Sequence, residues 1–376
     1  MYLDFLTTGI LAFTWQQGVM WLIGAILIYL AIKKDYEPAL LLPIGFGAII
    51  VNIPFSTAIT QNIPGYGEIE GIIDVLFRIG ISSELFPLLL FIGIGAMIDF
   101  GPLLSNPKMI FFGAAAQFGI FGTLLLAVIL GFSLRDAASI GIIGAADGPT
   151  SIFVANFFES KYLGTITVAA YSYMALVPII QPFAIRLVTT TEERKIRMPY
   201  HAKEVSKTAK ILFPIGVTMV AGFLAPTSIS LIGMLMFGNL IRESGVLNSL
   251  SKTAQNELVN LITILLGITI AAKMQAASFV TTETFIIIGL GLVAFIFDTV
   301  FGVFFVKFLN LFTKNKINPM VGAAGISAFP MSARVIHKMA LQEDKQNFIL
   351  MHTVGANVAG QIASVIAGGL IIYLIP

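Results

Sequence analysis

The 376-residue chain contains no cysteine, which excludes disulfides, thiolate metal sites and a cysteine nucleophile. Charge is scarce: Asp, Glu, Lys and Arg make up 11% of the residues, about half of what a soluble domain carries. The net charge of +2 gives no basis for nucleic-acid binding. Only three histidines occur, His201, His337 and His352; they fall in or beside charged loops, without metal-ligand spacing. No HExxH, no P-loop and no Ser-His-Asp order with a nucleophile elbow is present, so the chain alone offers no hydrolytic machinery. What it has is apolar, with 57% hydrophobic residues and a mean hydropathy of +0.92. Runs of spanning length recur from end to end, which reads as an all-α polytopic membrane protein.

Apolar runs lie near 18–32, 38–53, 85–99, 109–132 and 162–185, and again near 209–225, 228–241, 258–280, 285–308 and 347–375. Two more, 138–158 and 319–338, are interrupted by Gly, Pro, Ser and Asn. Lys and Arg near span ends mark the cytoplasmic side. They concentrate in 186–210, with Arg186, Arg194, Lys195, Arg197, Lys203, Lys207 and Lys210, and recur at Lys33-Lys34 and at Lys314 and Lys316. If 138–158 crossed completely, this basic stretch would fall outside. If the segment enters and returns, the sign comes right, and the same reasoning makes 319–338 re-entrant from the cytoplasmic side. The expectation is about ten transmembrane helices plus two broken re-entrant segments, arranged as two inverted-topology repeats. The repeats are 1–185 and 209–376, joined by a basic linker at 186–208. Short internal matches have the same order in both halves: Phe46-Gly47 with Phe237-Gly238, 91–100 with 265–274, and Gly144-Ala145-Ala146 with Gly322-Ala323-Ala324.

The stretch Gly144-Ala145-Ala146-Asp147-Gly148-Pro149-Thr150 puts a carboxylate at a helix break inside the first interrupted run. An ionisable group at membrane depth costs several kcal/mol and marks ion or substrate paths. A carboxylate beside freed carbonyls has the chemistry of a small-cation site. The second interrupted run offers neutral oxygens from Asn318, Ser327 and Ser332, which suit a hard cation. Arg334 at its cytoplasmic return reads either as a fork for a carboxylate or as a positive-inside anchor. In the last run Asn357, Gln361 and Ser364 are spaced i, i+4, i+7 and share a helix face; such a stripe lines a site or joins helices. Tyr173 is a candidate ligand or proton relay, or else interfacial packing. Asp298 is a second intramembrane acid, on an ion path or in a buried hydrogen bond.

Several long motifs resemble a known family. They are GAADGPTSIFVAN (144–156), VAAYSYMALVPIIQP (168–182), NPKMIFFGAAAQFGIF (106–121), SKTAQNELVNLITILLG (251–267), GAAGISAFPMSARV (322–335) and QNFILMHTVGANVAGQIAS (346–364). All are similar to the beta subunit of sodium-pumping, biotin-dependent decarboxylases, which act on oxaloacetate, methylmalonyl-CoA, glutaconyl-CoA or malonate. The resemblance runs from about residue 15 to the end. It implies a multi-pass subunit in the cell membrane of a prokaryote, a translocase that works only with partners. Those are a biotin carrier, a carboxyltransferase alpha subunit and a small single-span membrane subunit, with the membrane subunit itself a homo-oligomer. Carboxybiotin on the carrier would be decarboxylated at the cytoplasmic side, with proton consumption and sodium export. By resemblance Asp147, Tyr173 and Arg334 are the catalytic set, Arg334 and Asn318 face carboxybiotin, and Asp147, Asn318, Gly322, Ser327 and Asn357 surround sodium. The alternative is a sodium- or proton-coupled carboxylate transporter, or a cation/proton antiporter, on the same inverted repeats.

Overall fold

The computed structural model describes residues 8–63, 65–199 and 204–375; His201 and Lys203 lie outside the described residues. The first long helix begins where the sequence supplies a reciprocal cap. Thr14 Oγ1 accepts the Gln17 amide at 3.3 Å and Gln17 Oε1 accepts the Thr14 amide at 2.8 Å, satisfying two donors that a helix start leaves free. This helix, α1 (Trp15–Lys34), ends on two lysines, which suit the negative end of its dipole. It packs on α2 (Pro38–Val51). Residues 54–84 contain a two-stranded hairpin, Gln61–Ile63 with Gly67–Ile69, in which Gln61 pairs with Ile69.

The first half continues with α3 (Leu85–Met97), then α4 (Met109–Ala115) and α5 (Phe118–Ile129), the two parts of one apolar stretch. Next come α6 (Leu134–Gly141), α7 (Gly148–Phe157) and the long α8 (Leu163–Val188). Pro178 lies inside α8 and removes a hydrogen bond one turn back, where the helix bends by 71°. The second half has α9 (Lys207–Leu224), α10 (Ile229–Ser244), α11 (Val259–Ile270) and α12 (Thr282–Phe312). It closes with α13 (Met331–Glu343) and α14 (Leu350–Leu374).

The chain is an all-α polytopic membrane protein apart from the hairpin. Among the described residues six helices are long and apolar enough to cross a membrane, or eight if each of two bent pairs is one span. Two segments read from sequence as spans, α2 and α10, are only 14 and 16 residues long, short of the ~20 a straight crossing needs. Pro38 and Asn52 bound the first, and Ala225 and Gly245 flank the second with its short 3-10 entry.

Packing between the halves is reciprocal. Helix α2 packs on α11, and α10 packs on α3. Helix α4 packs on α14, and α12 packs on α8. The Phe-Gly matches sit at the first pair of crossings: a β-carbon on Gly47 would strike Ile268 and Ala271, and one on Gly238 would strike Ile92 and Ala96. Only glycine permits so close an approach of two backbones. Asn52 binds the Ala48 and Met274 carbonyls at 2.7 and 2.8 Å and accepts the Ala276 amide at 2.7 Å. Asn239 donates to the Ile98 carbonyl at 2.9 Å. Each asparagine thus satisfies backbone freed at the end of the opposite half's third helix.

The linker does more than carry charge. Arg194 is buried, with Nε 2.7 Å from Glu343 and Nη1 2.8 Å from the Thr189 carbonyl. Arg197 pairs with Asp344 at 2.5 Å, and this guanidinium holds the Asp344 carboxyl below the usual carboxylate range. Together they clamp the linker to α13.

Candidate functional site

The two interrupted segments lie end to end in the protein interior. Residues 137–155 and 318–328 are buried without a gap. Non-helical backbone at membrane depth is tolerated only where protein or a wet cavity satisfies it. In the first segment α6 tightens into a 3-10 turn at Ile142–Ala145 and breaks at Ala146, whose φ of 53° is left-handed. For a residue with a side chain that conformation costs about 1–2 kcal/mol. Asp147 follows in extended geometry as the N-cap of α7, and Pro149 stands at a helix start where its missing N–H is harmless. The second segment is one short helical turn, Met320–Ala323, then irregular chain to α13. The tips meet: the Ser327 amide donates to the Ala145 carbonyl at 3.1 Å.

Helix α14 joins them. Its polar stripe was legible from spacing, and each member has a definite partner. Asn357 Nδ2 donates to the Ile326 carbonyl at 2.6 Å. Gln361 Nε2 donates to the Ser327 carbonyl. Ser364 Oγ donates to Asp147 Oδ2 at 3.1 Å. Thr150 Oγ1 donates to the same carboxylate oxygen at 2.6 Å. Asp147 is 2% exposed, so its carboxylate sits among hydroxyls rather than water.

Two further glutamines hold the second segment. Gln181 Nε2 donates to the Ala323 carbonyl at 2.9 Å and Gln117 Nε2 to the Gly325 carbonyl at 3.3 Å. Four amides therefore grip the carbonyls of residues 323, 325, 326 and 327. In all four the side-chain oxygen is buried with no hydrogen-bond partner. The Tyr171 hydroxyl is likewise unpartnered, and its ring lies against Gly148. The arrangement offers one carboxylate amid many neutral oxygens. Among the described residues no group of three or more His, Asp or Glu could hold a metal ion. Such a low-charge, oxygen-rich site suits a hard monovalent cation better than a multivalent one.

The remaining expected residues are distributed. Ser327 Oγ donates to the Gly360 carbonyl at 3.1 Å, which keeps Ser327 at the meeting point. Tyr173 is turned away, its hydroxyl donating to the Ile288 carbonyl and its ring against Gly291 of α12; Tyr171 is the tyrosine beside the Asp147 break. Asn318 Nδ2 donates to the Arg194 and Ile196 carbonyls at 2.8 and 3.0 Å, and its Oδ1 accepts the Met320 amide at 3.1 Å. It fastens the start of the second segment to the linker. Gly322 is packed on Gly302 of α12, where a β-carbon on either would strike the other's carbonyl; its part is a close crossing.

Arg334 is exposed and pairs with no acid among the described residues. It lines a cavity of about 350 Å³ with Pro178, Pro182, Val335, Lys338 and Gln342. Lys338 follows Arg334 by four residues, hence on the same face of α13. That spacing is visible in the sequence. A cavity with two cations and no acid fits a carboxylate.

Comparisons with known proteins agree with the motifs. Residues 16–375 match the family described as Na+-transporting oxaloacetate decarboxylase beta subunit. The chain is 49% identical over 368 residues to the glutaconyl-CoA decarboxylase subunit beta of Acidaminococcus fermentans, covering 98% of this chain and 96% of that one. It is 48% identical over 368 residues to the methylmalonyl-CoA decarboxylase subunit beta of Veillonella parvula, covering 98% and 95%. It is 43% identical over 418 aligned positions to a probable oxaloacetate decarboxylase beta chain of Vibrio cholerae, covering 97% and 96%. With family and relatives matched along nearly its whole length, the chain belongs to the beta-subunit family of sodium-transporting decarboxylases.

Proposed function

We propose that this chain is the membrane-embedded, sodium-exporting subunit of a biotin-dependent decarboxylase in a prokaryotic cell membrane. One observation carries the reading. Three consecutive polar positions on α14 bind the tips of both broken segments, with the buried carboxylate of Asp147 at the end of the row. A site shared by two facing segments can open to one side or the other as those segments shift.

Sodium is the cargo. Asp147 supplies the charge, Thr150, Ser364 and Ser327 supply hydroxyls, and the unpartnered oxygens of Asn357 and Gln361 complete an oxygen shell. A proton on Asp147 would remove that charge, so proton and sodium exclude one another there. Arg334, with Lys338, would hold the carboxylate of carboxybiotin in the cytoplasmic cavity; a guanidinium gives two parallel hydrogen bonds to such a group. Decarboxylation of carboxybiotin releases carbon dioxide and takes up a proton. Asp147, on losing its proton towards that sink, becomes the carboxylate that sodium prefers. Tyr171, whose ring lies against Gly148 at the break, is the candidate to position or relay that proton; the Tyr173 hydroxyl, given to the Ile288 carbonyl, would take part only by exchanging that bond.

The inverted repeats at 1–185 and 209–376, with the linker 186–208 between them, belong to the same proposal. The reciprocal packing and the matched glycine crossings support it. A biotin carrier, a carboxyltransferase alpha subunit and a single-span membrane subunit are the partners this chemistry calls for, with the membrane subunit as a homo-oligomer. The test is carbon dioxide release from a carboxybiotinylated carrier by the purified complex in detergent. Sodium-stimulated release supports the proposal. Sodium-coupled solute uptake by this chain without any biotin protein, and no release from the carrier, would replace it with a transporter.

A further inference from the structure

We propose that Asp298 is the carboxylate of a second monovalent-cation station, separate from Asp147 and built where α5 crosses α12. Asp298 lies midway along α12 and is 0% exposed. Its Oδ1 accepts the Gly119 amide at 2.5 Å. Gly119 is in the first turn of α5, where backbone amides have no partner within the helix and the helix dipole favours a negative charge. The carboxylate is therefore stabilised as an anion by the start of α5, with the Gly119 and Ile120 amides both bearing on it.

Its other oxygen is turned towards the first broken segment. Asp298 Oδ2 has no hydrogen-bond partner, and it lies against Gly144, where a β-carbon would sit 2.5 Å from it. Two hydroxyls on the helices that cross here are also buried and unpartnered, Thr123 of α5 and Thr299 of α12, both 0% exposed. Thr123 is one turn beyond Gly119 on the same face of α5, and Thr299 follows Asp298 directly. Threonines within a helix commonly donate to the carbonyl four residues back. Thr167 and Thr218 do so in this protein, at 2.6 and 2.7 Å. Thr123 and Thr299 do not. Three unpartnered oxygens on these two packed helices each carry a desolvation cost, and a cation bound at Asp298 would cancel that of the carboxylate. A single carboxylate with hydroxyl oxygens balances one positive charge, which selects a monovalent hard cation.

The station touches the Asp147 segment. Gly144 forms its wall and Asp147 follows three residues later, past the left-handed turn at Ala146. A cation at Asp298 would bear on the segment that carries the first site. The inference goes beyond the proposed function and does not depend on the handling of carboxybiotin.

The experiment is equilibrium binding of radioactive sodium to the purified complex, with its partner subunits, at fixed pH. Asp147→Asn is expected to keep one sodium-binding component. Asp298→Asn is expected to lose that component and keep the other, and the double variant to bind none. The pair Thr123→Val with Thr299→Val should weaken the Asp298 component by about tenfold and leave the Asp147 component in place. Wild-type sodium number and affinity in Asp298→Asn overturns the proposal. So does a proton-release signal that disappears in Asp298→Asn while sodium binding is unchanged, because Asp298 would then carry only a proton. If Asp298→Asn does not assemble, the threonine pair decides, and unaltered sodium binding in it overturns the station. Failure of the Asp147 assignment shows separately, as full binding in Asp147→Asn with a normal response to Asp298→Asn.

Discussion

Ser364 places its hydroxyl 3.1 Å from Asp147 Oδ2, across a sequence separation of 217 residues. One turn earlier on the same face Gln361 donates to the Ser327 backbone. The last helix is thus a ruler against which the two broken segments are set. Motion of either segment relative to α14 must break or exchange these bonds.

Asp147→Asn keeps the shape of the side chain and removes its charge. Sodium-stimulated decarboxylation by the purified complex should fall on the order of 10²-fold or more, as for loss of a proton-handling group. The folded complex should persist, as read by size-exclusion chromatography. Wild-type sodium activation in this variant would remove Asp147 from the ion site.

Ser364→Ala removes one of two hydroxyl donors to the carboxylate. A hydrogen bond to a charged group contributes about 1.5–3 kcal/mol, so half-saturation by sodium should rise by roughly ten- to a hundredfold. Thr150→Val should act in the same direction, because its hydroxyl is on the same oxygen at 2.6 Å. Sodium titration of decarboxylation checks both. If maximal rate falls while half-saturation stays put, the hydroxyls serve the reaction and not the ion.

Much of this arrangement could be read before the fold was known. A break beside Asp147 and the i, i+4, i+7 stripe are local patterns; the break itself falls at Ala146, just before the carboxylate, and Gly148-Pro149 open the next helix instead of ending one. The Phe-Gly repeats were visible as well, and the reason for them is a backbone crossing. Positions that depend on which way a long helix is turned were not legible. Tyr171 and Tyr173 are two residues apart, and only the rotation of α8 decides that Tyr171 lies by Gly148 while Tyr173 reaches Ile288. Gln117 and Gln181 each stand alone among apolar neighbours, with nothing in sequence to show that both grip 323–325. Asn318 offered an oxygen in the right segment, and its amide is spent on the linker backbone. Arg194 looked like one cation among many in a basic stretch, yet it is buried against Glu343.

Arg334→Lys retains charge at the cavity and loses the planar fork. The apparent affinity for carboxybiotinylated carrier should weaken by about tenfold, and sodium half-saturation should be unchanged. Lys338→Gln should add to the defect, since both side chains line the same cavity. Carrier and sodium titrations run separately distinguish the roles. A shift in sodium activation with an unmoved carrier titration would assign Arg334 to the ion path.

The final prediction concerns the competition between proton and sodium at Asp147. A protonated carboxyl holds a cation poorly, so each proton that binds Asp147 displaces sodium by mass action. Below the pH at which that carboxyl begins to protonate, half-saturation by sodium should rise, approaching roughly tenfold per pH unit. Above it, affinity should level off. Ser327 is a neutral member of the same site, tied to Ala145 at 3.1 Å and to Gly360 at 3.1 Å. Ser327→Ala should therefore raise half-saturation at every pH by a similar factor and leave the pH of the bend where it is. Sodium titrations of decarboxylation across pH 5.5–8.5, for wild type and Ser327→Ala, give two curves offset vertically. A flat wild-type curve would show that no titrating group shares the sodium site. A bend that moves by a full unit in Ser327→Ala would show instead that Ser327 governs the protonation of the carboxylate, and that Asp147 and Ser327 act as one hydrogen-bonded unit.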